Sequence, residues 1–400
     1  MVALLESSLR SDLSSSLEQL ALRLHEPRRL RTPAASLRGW AGLALAHSVL
    51  ERALPGRGFA ARAQEDLARA TRALARSAVP PTLYAGFTGL GWTTEFLRAR
   101  GNHDTNAEVD KALAEYLSID TWNGSVDLIS GLVGYGVYAL ERLPRAGAKA
   151  ILAAIIHHLD ATAARLPNGV AWATAANADA TDVEYDLGVA HGVPGVIGFL
   201  ARAWSAGIRR GSVGRLLDQA VAWVLSQRNA ASPGRQFPSV VRPARPVGPP
   251  ARLAWCYGDA GIACVLLLAA KASGEPAWRR AAVQLADGAA KRNASTSGVV
   301  DADLCHGSAG LAHVFQRLYV ETGSADCRAA AKRWLRVAIA SLSTRSLSRA
   351  FIRRAGTGFL TGASGATAAL ATFASVDWTA SAAWDRVLLL SDRPLDTTRR

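Results

Sequence analysis

Trp255-Cys256-Tyr257-Gly258 and Cys305-His306-Gly307 place two thiols and one imidazole just ahead of apolar helical segments. Two sulfurs and a ring nitrogen make a three-ligand set for zinc. Zinc held by three protein ligands keeps a fourth position open, as catalysis requires. A thiol entering that position loses its proton and becomes a nucleophile near neutral pH. Buried cysteines often serve only as small hydrophobes. Here both stand two residues ahead of a glycine in one shared local pattern, one of them beside a histidine, and that register favours metal. Adjacent Cys305 and His306 can both reach one ion from a turn.

His191 immediately precedes Gly192 in the same pattern. A fourth protein ligand would close the metal site, so His191 is assigned to proton transfer. Asp127 lies four residues ahead of Gly131. It can hold the imidazole of His191 and set its tautomer, or it can cap a helix start. Arg252, four residues before Cys256, and Tyr257, one after it, can stabilise negative charge developing on a substrate carbonyl. Either can equally act as support for the site. No phosphate loop, His-Glu-x-x-His or Gly-x-Ser-x-Gly occurs.

The elements that must position these residues follow a repeat. Gly-x-x-Gly occurs at Gly39/Gly42, Gly86/Gly89, Gly131/Gly134, Gly192/Gly195, Gly258/Gly261, Gly307/Gly310 and Gly362/Gly365. The spacing, roughly 45 to 66 residues, is that of a helix pair with its loops. After one tetrad, Leu311, Val314, Phe315 and Leu318 follow the period of a single helix face. Between tetrads a more polar helix is expected, as with Leu216, Leu217, Val221 and Val224, or Trp278, Ala282, Leu285 and Ala289. About seven apolar helices closed in a ring, with about seven polar ones outside, predict an all-α fold: an α/α toroid forming one domain over residues 1–400. Glycine at each inner helix start allows sharp turns and close helix contact. Strand signals amount to a short hairpin at most. In such a ring the pre-glycine residues of successive units meet at one rim, which brings the thiols and imidazoles together.

Two stretches break the rhythm. Asn168–Val189 carries Asp179, Asp182, Glu184 and Asp186, and Ala231–Arg252 carries six prolines. Proline at that density excludes helix and favours a stiff, extended loop. Both lead directly into the chemical motifs, where loops on a rigid scaffold carry substrate contacts.

Composition narrows the partners. The formal net charge is +14, and nearly all the positive charge is Arg, because Lys occurs at only five positions. It is spread along the chain, and no basic run interleaved with aromatics supports nucleic-acid binding. Four cysteines are too few for a disulfide scaffold and suit a reducing cytoplasm. Cys264 and Cys327 are expected to pack as inert thiols. Neither a signal peptide nor a membrane-spanning run is expected; the longest apolar run, Ala260 to Ala270, is too short.

Ala190-His191-Gly192-Val193-Pro194-Gly195, Trp255-Cys256-Tyr257-Gly258, Cys305-His306-Gly307-Ser308-Ala309-Gly310 and Phe359-Leu360-Thr361-Gly362-Ala363-Ser364-Gly365 resemble the lanthionine synthetase C-like family, the cyclases of lanthipeptide biosynthesis. The resemblance covers most of the chain. It implies an α/α toroid with Cys256, Cys305 and His306 as zinc ligands. His191 and Asp127 match positions given acid/base roles, and Arg252 and Tyr257 match positions beside the metal. Asp259-Ala260 departs from the family pattern, in which many members carry proline, and this bears on the loop shape. The implied reaction adds precursor-peptide cysteine thiols to dehydroalanine or dehydrobutyrine, forming lanthionine or methyllanthionine rings. The implied partners are a dehydrated precursor peptide with leader and core, a dehydratase and a transporter, with at most peripheral membrane association. The 400 residues hold no dehydratase domain, so the standalone type is expected.

Four other readings compete. The same site could add glutathione-type thiols to dehydroamino acids. Protein prenylation also uses zinc-bound thiol in a toroid, but with a carboxylate in the ligand set. A toroidal glycosidase needs paired carboxylates, and only Asp127 and Asp259 lie near suitable positions. The non-enzymatic reading is a peptide-binding scaffold of the biosynthetic complex.

Overall fold

In the computed structural model, which describes residues 6–24, 34–98, 104–174, 183–243, 245 and 248–392, the first glycine of every tetrad is the residue just ahead of a helix. The helices begin with α1 (Ser7–Leu24), α2 (Trp40–Ala53), α3 (Phe59–Leu74), α4 (Phe87–Leu97), α5 (Ala107–Tyr116), α6 (Leu132–Arg142), α7 (Ala146–Thr162), α8 (Val193–Ser205) and α9 (Arg210–Ser226). They continue with α10 (Asp259–Ser273), α11 (Pro276–Ala290), α12 (Ala294–Ser297), α13 (Ser308–Thr322), α14 (Ala325–Leu342), α15 (Arg345–Ala355), α16 (Ala363–Ala374) and α17 (Trp378–Ser381). A 3-10 segment, Ala382–Leu388, follows.

The tetrad helices α2, α4, α6, α8, α10, α13 and α16 pack side by side in that order, and α16 returns to α2. Outside them lie α3, α5, α7, α9, α11 and α14, each against the inner helix that precedes it. The remaining outer place, beside α16, is filled by α1 from the other end of the chain. The fold is therefore an α/α toroid, and α1 closes its outer layer.

Burial explains the sorting. Inner helices bury most of their circumference: in α13, Leu311, Val314, Phe315 and Leu318 are buried. Outer helices bury only a stripe. In α9 the stripe is Leu216, Leu217, Val221 and Val224; in α11 Ala282, Leu285 and Ala289 are buried and Trp278 packs half-buried against them. Cys264 and Cys327 are core residues, with thiols pushed up by burial, Cys327 to about 11.

The tetrad glycines serve a close approach, but of a different kind from helix against helix. A Cβ on the second glycine would meet a carbonyl oxygen of the loop just before it: Leu304 O at 1.9 Å for Gly310, Trp255 O at 2.1 Å for Gly261. Each loop folds back onto the first turn of its own helix. Backbone bonds then link loop to loop around the rim. Leu128 N–H donates to Ala190 O, Val189 to Cys256 O, Trp255 and Cys256 to Cys305 O, Leu304 and Cys305 to Leu360 O, and Phe359 to Leu37 O.

Among the described residues, two small antiparallel pairs occur where a short hairpin at most was expected: β1 (Ala164–Leu166) with β2 (Gly169–Ala171), and β3 (Tyr185–Asp186) with β4 (Val240–Val241). The second pair joins the two rhythm-breaking loops to each other, reinforced by the Arg242–Glu184 ion pair. Asp179 and Asp182 lie outside the described residues.

The C-terminal segment packs inside the toroid, where Leu388 O accepts from Trp255 Nε1 at 2.9 Å. Trp384, Leu388 and Leu389 are fully buried there. Asp385 accepts from Arg317 Nη2 at 2.6 Å and from His313 Nε2 at 2.9 Å, both on α13. Arg386 pairs with Glu141 on α6 at 2.9 Å, and Arg202 on α8 donates to Arg386 O at 2.8 Å. Nothing in the local periodicity announces this plug. Among the described residues no helix is long and apolar enough to cross a membrane.

Candidate active site

Cys256 and Cys305 come together because their loops are neighbours on the rim. The Cys256 amide donates to Cys305 O at 3.4 Å and the Trp255 amide to the same oxygen at 3.2 Å. With both backbones pinned, the two sulfurs and one ring nitrogen of His306 all lie within 4.8 Å of one another. Both cysteines are buried and His306 is half-buried.

The electrostatics of this trio favour a thiolate at Cys256. The hydrogen bond from the Cys305 thiol, helped by His306 and the charge of Arg252, holds the Cys256 thiol well below its ordinary value. Cys305 moves the other way, because its proton is shared with Cys256 and it is buried. The bond to Cys256 raises His306.

Asp303 completes the trio and was not singled out from the sequence. One oxygen accepts the amides of His306 at 2.8 Å and Gly307 at 2.9 Å; the other lies 3.2 Å from His306 Nε2. Burial lifts its carboxyl to about 6, despite those amides. A signal existed: Asp303 precedes Gly307 by four residues, as Asp127 precedes Gly131. Asp301, Asp303 and His306 form a second, overlapping cluster of potential ligand atoms.

His191 sits on the adjacent rim loop with its Nδ1 2.7 Å from Asp127 Oδ2. A carboxylate only accepts, so Nδ1 carries the hydrogen and Nε2 is left for exchange. The bond to Asp127 raises His191 above its ordinary value, against the effect of burial, and Asp186 and Cys256 add to the rise. Its side chain is 43% exposed, so it is reachable from the mouth. Asp127 caps no helix, since Gly131 holds the position ahead of α6. It caps the turn before it, accepting the Ser130 amide at 2.6 Å.

Tyr257 and Arg252 differ in availability. Tyr257 donates its hydroxyl to Asp186 Oδ2 at 2.6 Å, and Asp186 Oδ1 accepts the Gly188 amide at 2.6 Å. Burial and this carboxylate push the phenol well above its ordinary range. Asp186 was visible in the sequence only as one acid of a loop. Arg252 is exposed, and its guanidinium has no hydrogen-bond partner among the described residues. Asp259, the departure from the family pattern, begins α10 and accepts the amides of Gln236 at 3.0 Å and Phe237 at 3.3 Å. It ties the proline-rich loop to the helix start, while Gly258 turns at φ 87°, a conformation open to glycine. Asp127 and Asp259 are thus engaged in separate bonds rather than paired.

These features define a class: an α/α toroid whose rim gathers two cysteines and a histidine beside a His–Asp pair. The sequence model of the family described as lanthionine synthetase C-like protein matches residues 33–389, and the chain belongs to that family. A solved structure described as nisin cyclase is similar in fold, with a TM-score of 0.75 over 96% of this chain and 98% of that chain, at 17% identity. No curated protein matches the sequence.

Proposed function

We propose that the protein is a zinc-dependent lanthipeptide cyclase, its toroid acting as one domain. It adds cysteine thiols of a dehydrated precursor peptide to dehydroalanine or dehydrobutyrine. The observation that carries this reading is the convergence of Cys256, Cys305 and His306 within 4.8 Å. That donor set suits zinc: bonds of about 2.1–2.3 Å put tetrahedral ligands about 3.5–4 Å apart. Asp303 against one ring nitrogen of His306 leaves the other for the ion, the usual outer support of a metal-binding imidazole. Bound there, zinc would supply an open position at which a peptide thiol sheds its proton.

The chain's own residues do the rest. The peptide S–H proton departs, a C–S bond forms at the β-carbon, and the double-bond pair moves toward the carbonyl as an enolate. His191, protonated at Nε2 and steadied by Asp127, returns one proton to the α-carbon. Arg252, exposed and unpaired, offers its charge to the enolate oxygen. Tyr257, with its hydroxyl held by Asp186, supports the rim loop. The mouth holds thiol and alkene in reach of each other. The net charge of +14 suits an acidic leader or anionic lipid, an attraction that salt weakens. A dehydratase must supply the substrate, and a transporter would take the product.

The test is zinc per chain in the reduced wild type and in Cys305→Ala, with loss of free thiols from a dehydrated peptide followed by alkylation and mass spectrometry. About one equivalent, lost on substitution together with ring formation, is the expected result. A reduced wild type without zinc, leaving the peptide thiols free, would move the assignment to a peptide-binding scaffold.

A further inference from the structure

Outer helix α3 runs back along α2 and delivers its last turn to the rim, where α4 begins. Arg69, Arg72 and Arg76 follow one another there at intervals of three and four residues, so they form one stripe along the helix and the turn after it. Together with Trp40, Ala34 and Val79 the stripe lines a groove of about 400 Å³. Two rim loops build its other wall. Ala34 O accepts the Trp40 amide at 2.8 Å at the start of α2, and Pro80 O, next to Val79, accepts the Phe87 amide at 3.0 Å at the start of α4. The groove therefore lies beside the rim that carries the cysteines. Backbone bonds lead from one to the other: Leu37 O accepts from Phe359 at 3.1 Å, and Leu360 O accepts from Cys305 at 3.0 Å.

The groove is one-sided in charge, because no Asp or Glu lines it. Arg69 already has partners: its guanidinium lies 4.8 Å from the Trp40 ring centroid and pairs with Glu65 at 2.5 Å and Asp66 at 3.4 Å. Arg72 and Arg76 are exposed, and their side chains have no ion pair or hydrogen bond among the described residues. A cation in the last turn suits the helix dipole. That accounts for one arginine, not for a groove that gathers three without a carboxylate.

We infer that this groove docks an extended, acidic segment of the peptide substrate, outside the residues that are cyclised. Spacing supports the match. On one face of an extended chain alternate side chains stand about 6.6 Å apart, close to the rise of about 5.4 Å per helical turn that separates Arg72 from Arg76. Two carboxylates at alternate positions can thus meet the two free guanidinium groups. Reach supports it too. Two inner-helix spacings and one step between layers separate the groove from the Cys305 loop, at most about 30 Å at about 10 Å each. An extended peptide crosses that distance in about nine residues. The proposal rests on the reading of the chain as a peptide cyclase and adds where the substrate is held.

The test is fluorescence anisotropy with a labelled peptide alternating aspartate and serine, and with its asparagine counterpart. Each is titrated with the full chain and with Arg72→Glu/Arg76→Glu. Neither arginine side chain has a partner to lose, so the fold should survive. Arg62→Glu/Arg280→Glu makes the same change in net charge on exposed residues outside the groove. The expected result is tighter binding of the aspartate peptide, weakened about tenfold or more in Arg72→Glu/Arg76→Glu, kept in the control variant, and fading with salt. Equal loss in both variants would mean that net charge alone attracts the peptide, and would overturn the groove. Equal binding of the two peptides would overturn it as well. Release from phosphatidylglycerol vesicles in Arg72→Glu/Arg76→Glu, with peptide affinity unchanged, would give the groove to a membrane surface instead. Zinc content and ring closure of a short dehydrated peptide without acids should be unchanged in Arg72→Glu/Arg76→Glu. Their absence in the wild type would sink the cyclase reading, while anisotropy decides the groove by itself.

Discussion

One carboxylate holds His191 and shapes its loop at once: Asp127 Oδ2 lies 2.7 Å from His191 Nδ1, while its Oδ1 accepts the Ser130 amide at 2.6 Å. The bond to Asp127 raises the imidazole above its ordinary value. The proton-donating form is therefore present at low pH and is lost as pH rises through that raised value. Asp127→Asn removes the charge, so the loss must occur at lower pH. Cyclisation by Asp127→Asn is expected to fall about tenfold or more, and by His191→Ala about a hundredfold. Free-thiol loss followed from about pH 5 to 9 checks the sign. An alkaline limb that stays in place in Asp127→Asn would assign the proton to another group.

Asp259 has a different task, tying the proline-rich loop to α10 through the amides of Gln236 and Phe237. Burial raises its carboxyl to about 6, above the unfolded value, so the native state holds this proton more tightly. Its contribution is complete below about pH 4 and is lost as pH rises through about 6. Stability measured by urea unfolding should decline across that window, and Asp259→Asn should flatten the decline. Asp259→Ala should in addition expose 231–252 to proteolysis, because two buried amides lose their acceptor, at about 1–3 kcal/mol each. A pH profile identical to wild type would show that another group sets the slope.

The ring was legible because its cause is local. Gly-x-x-Gly marks the points where a loop folds onto its own helix, and the helix periods between them carry the inner and outer faces. Cys256, Cys305, His306 and His191 were legible because equal offsets from a tetrad become neighbouring places on a rim. Asp303 shares its offset with Asp127, so that signal was present but unused. Asp186 and the C-terminal plug were illegible for a physical reason. Their partners, Tyr257 for the first and Glu141, Arg202 and Arg317 for the second, are distant in sequence and set by ring closure alone. The pairing of β3 with β4 likewise depends on two irregular loops meeting above the ring.

Gly310→Ala separates the loop-folding account from helix propensity. Propensity alone favours alanine inside a helix by about 1 kcal/mol. A Cβ there would stand 1.9 Å from the carbonyl oxygen of Leu304, the residue before Cys305. The substitution should therefore destabilise, by about 2 kcal/mol or more, the scale of overpacking in a filled interior. It should also lower zinc content, because relief of the clash displaces the Cys305 backbone. Stabilisation with zinc retained would show that the glycine is there for another reason.

Asp385 tests whether the plug and the rim are energetically separate. Burial opposes its charge, but Arg317 and His313 outweigh burial and hold the carboxyl at about 2. Its contribution is present above about pH 4 and is lost as pH falls toward 2. Asp385→Ala leaves buried Arg317 and His313 without their acceptor. Removing one partner of such a buried pair costs about 3–5 kcal/mol. Urea unfolding near neutral pH should show that loss, and the acid-side slope should shrink with it. Zinc content of the folded variant should stay near that of the wild type, because the bond between the plug and the cysteine loops, from Trp255 Nε1 to Leu388 O at 2.9 Å, does not pass through the Asp385 side chain. Loss of zinc from a variant that remains folded would mean that the plug steadies the Cys256 loop through Trp255, and the plug would then belong to the site.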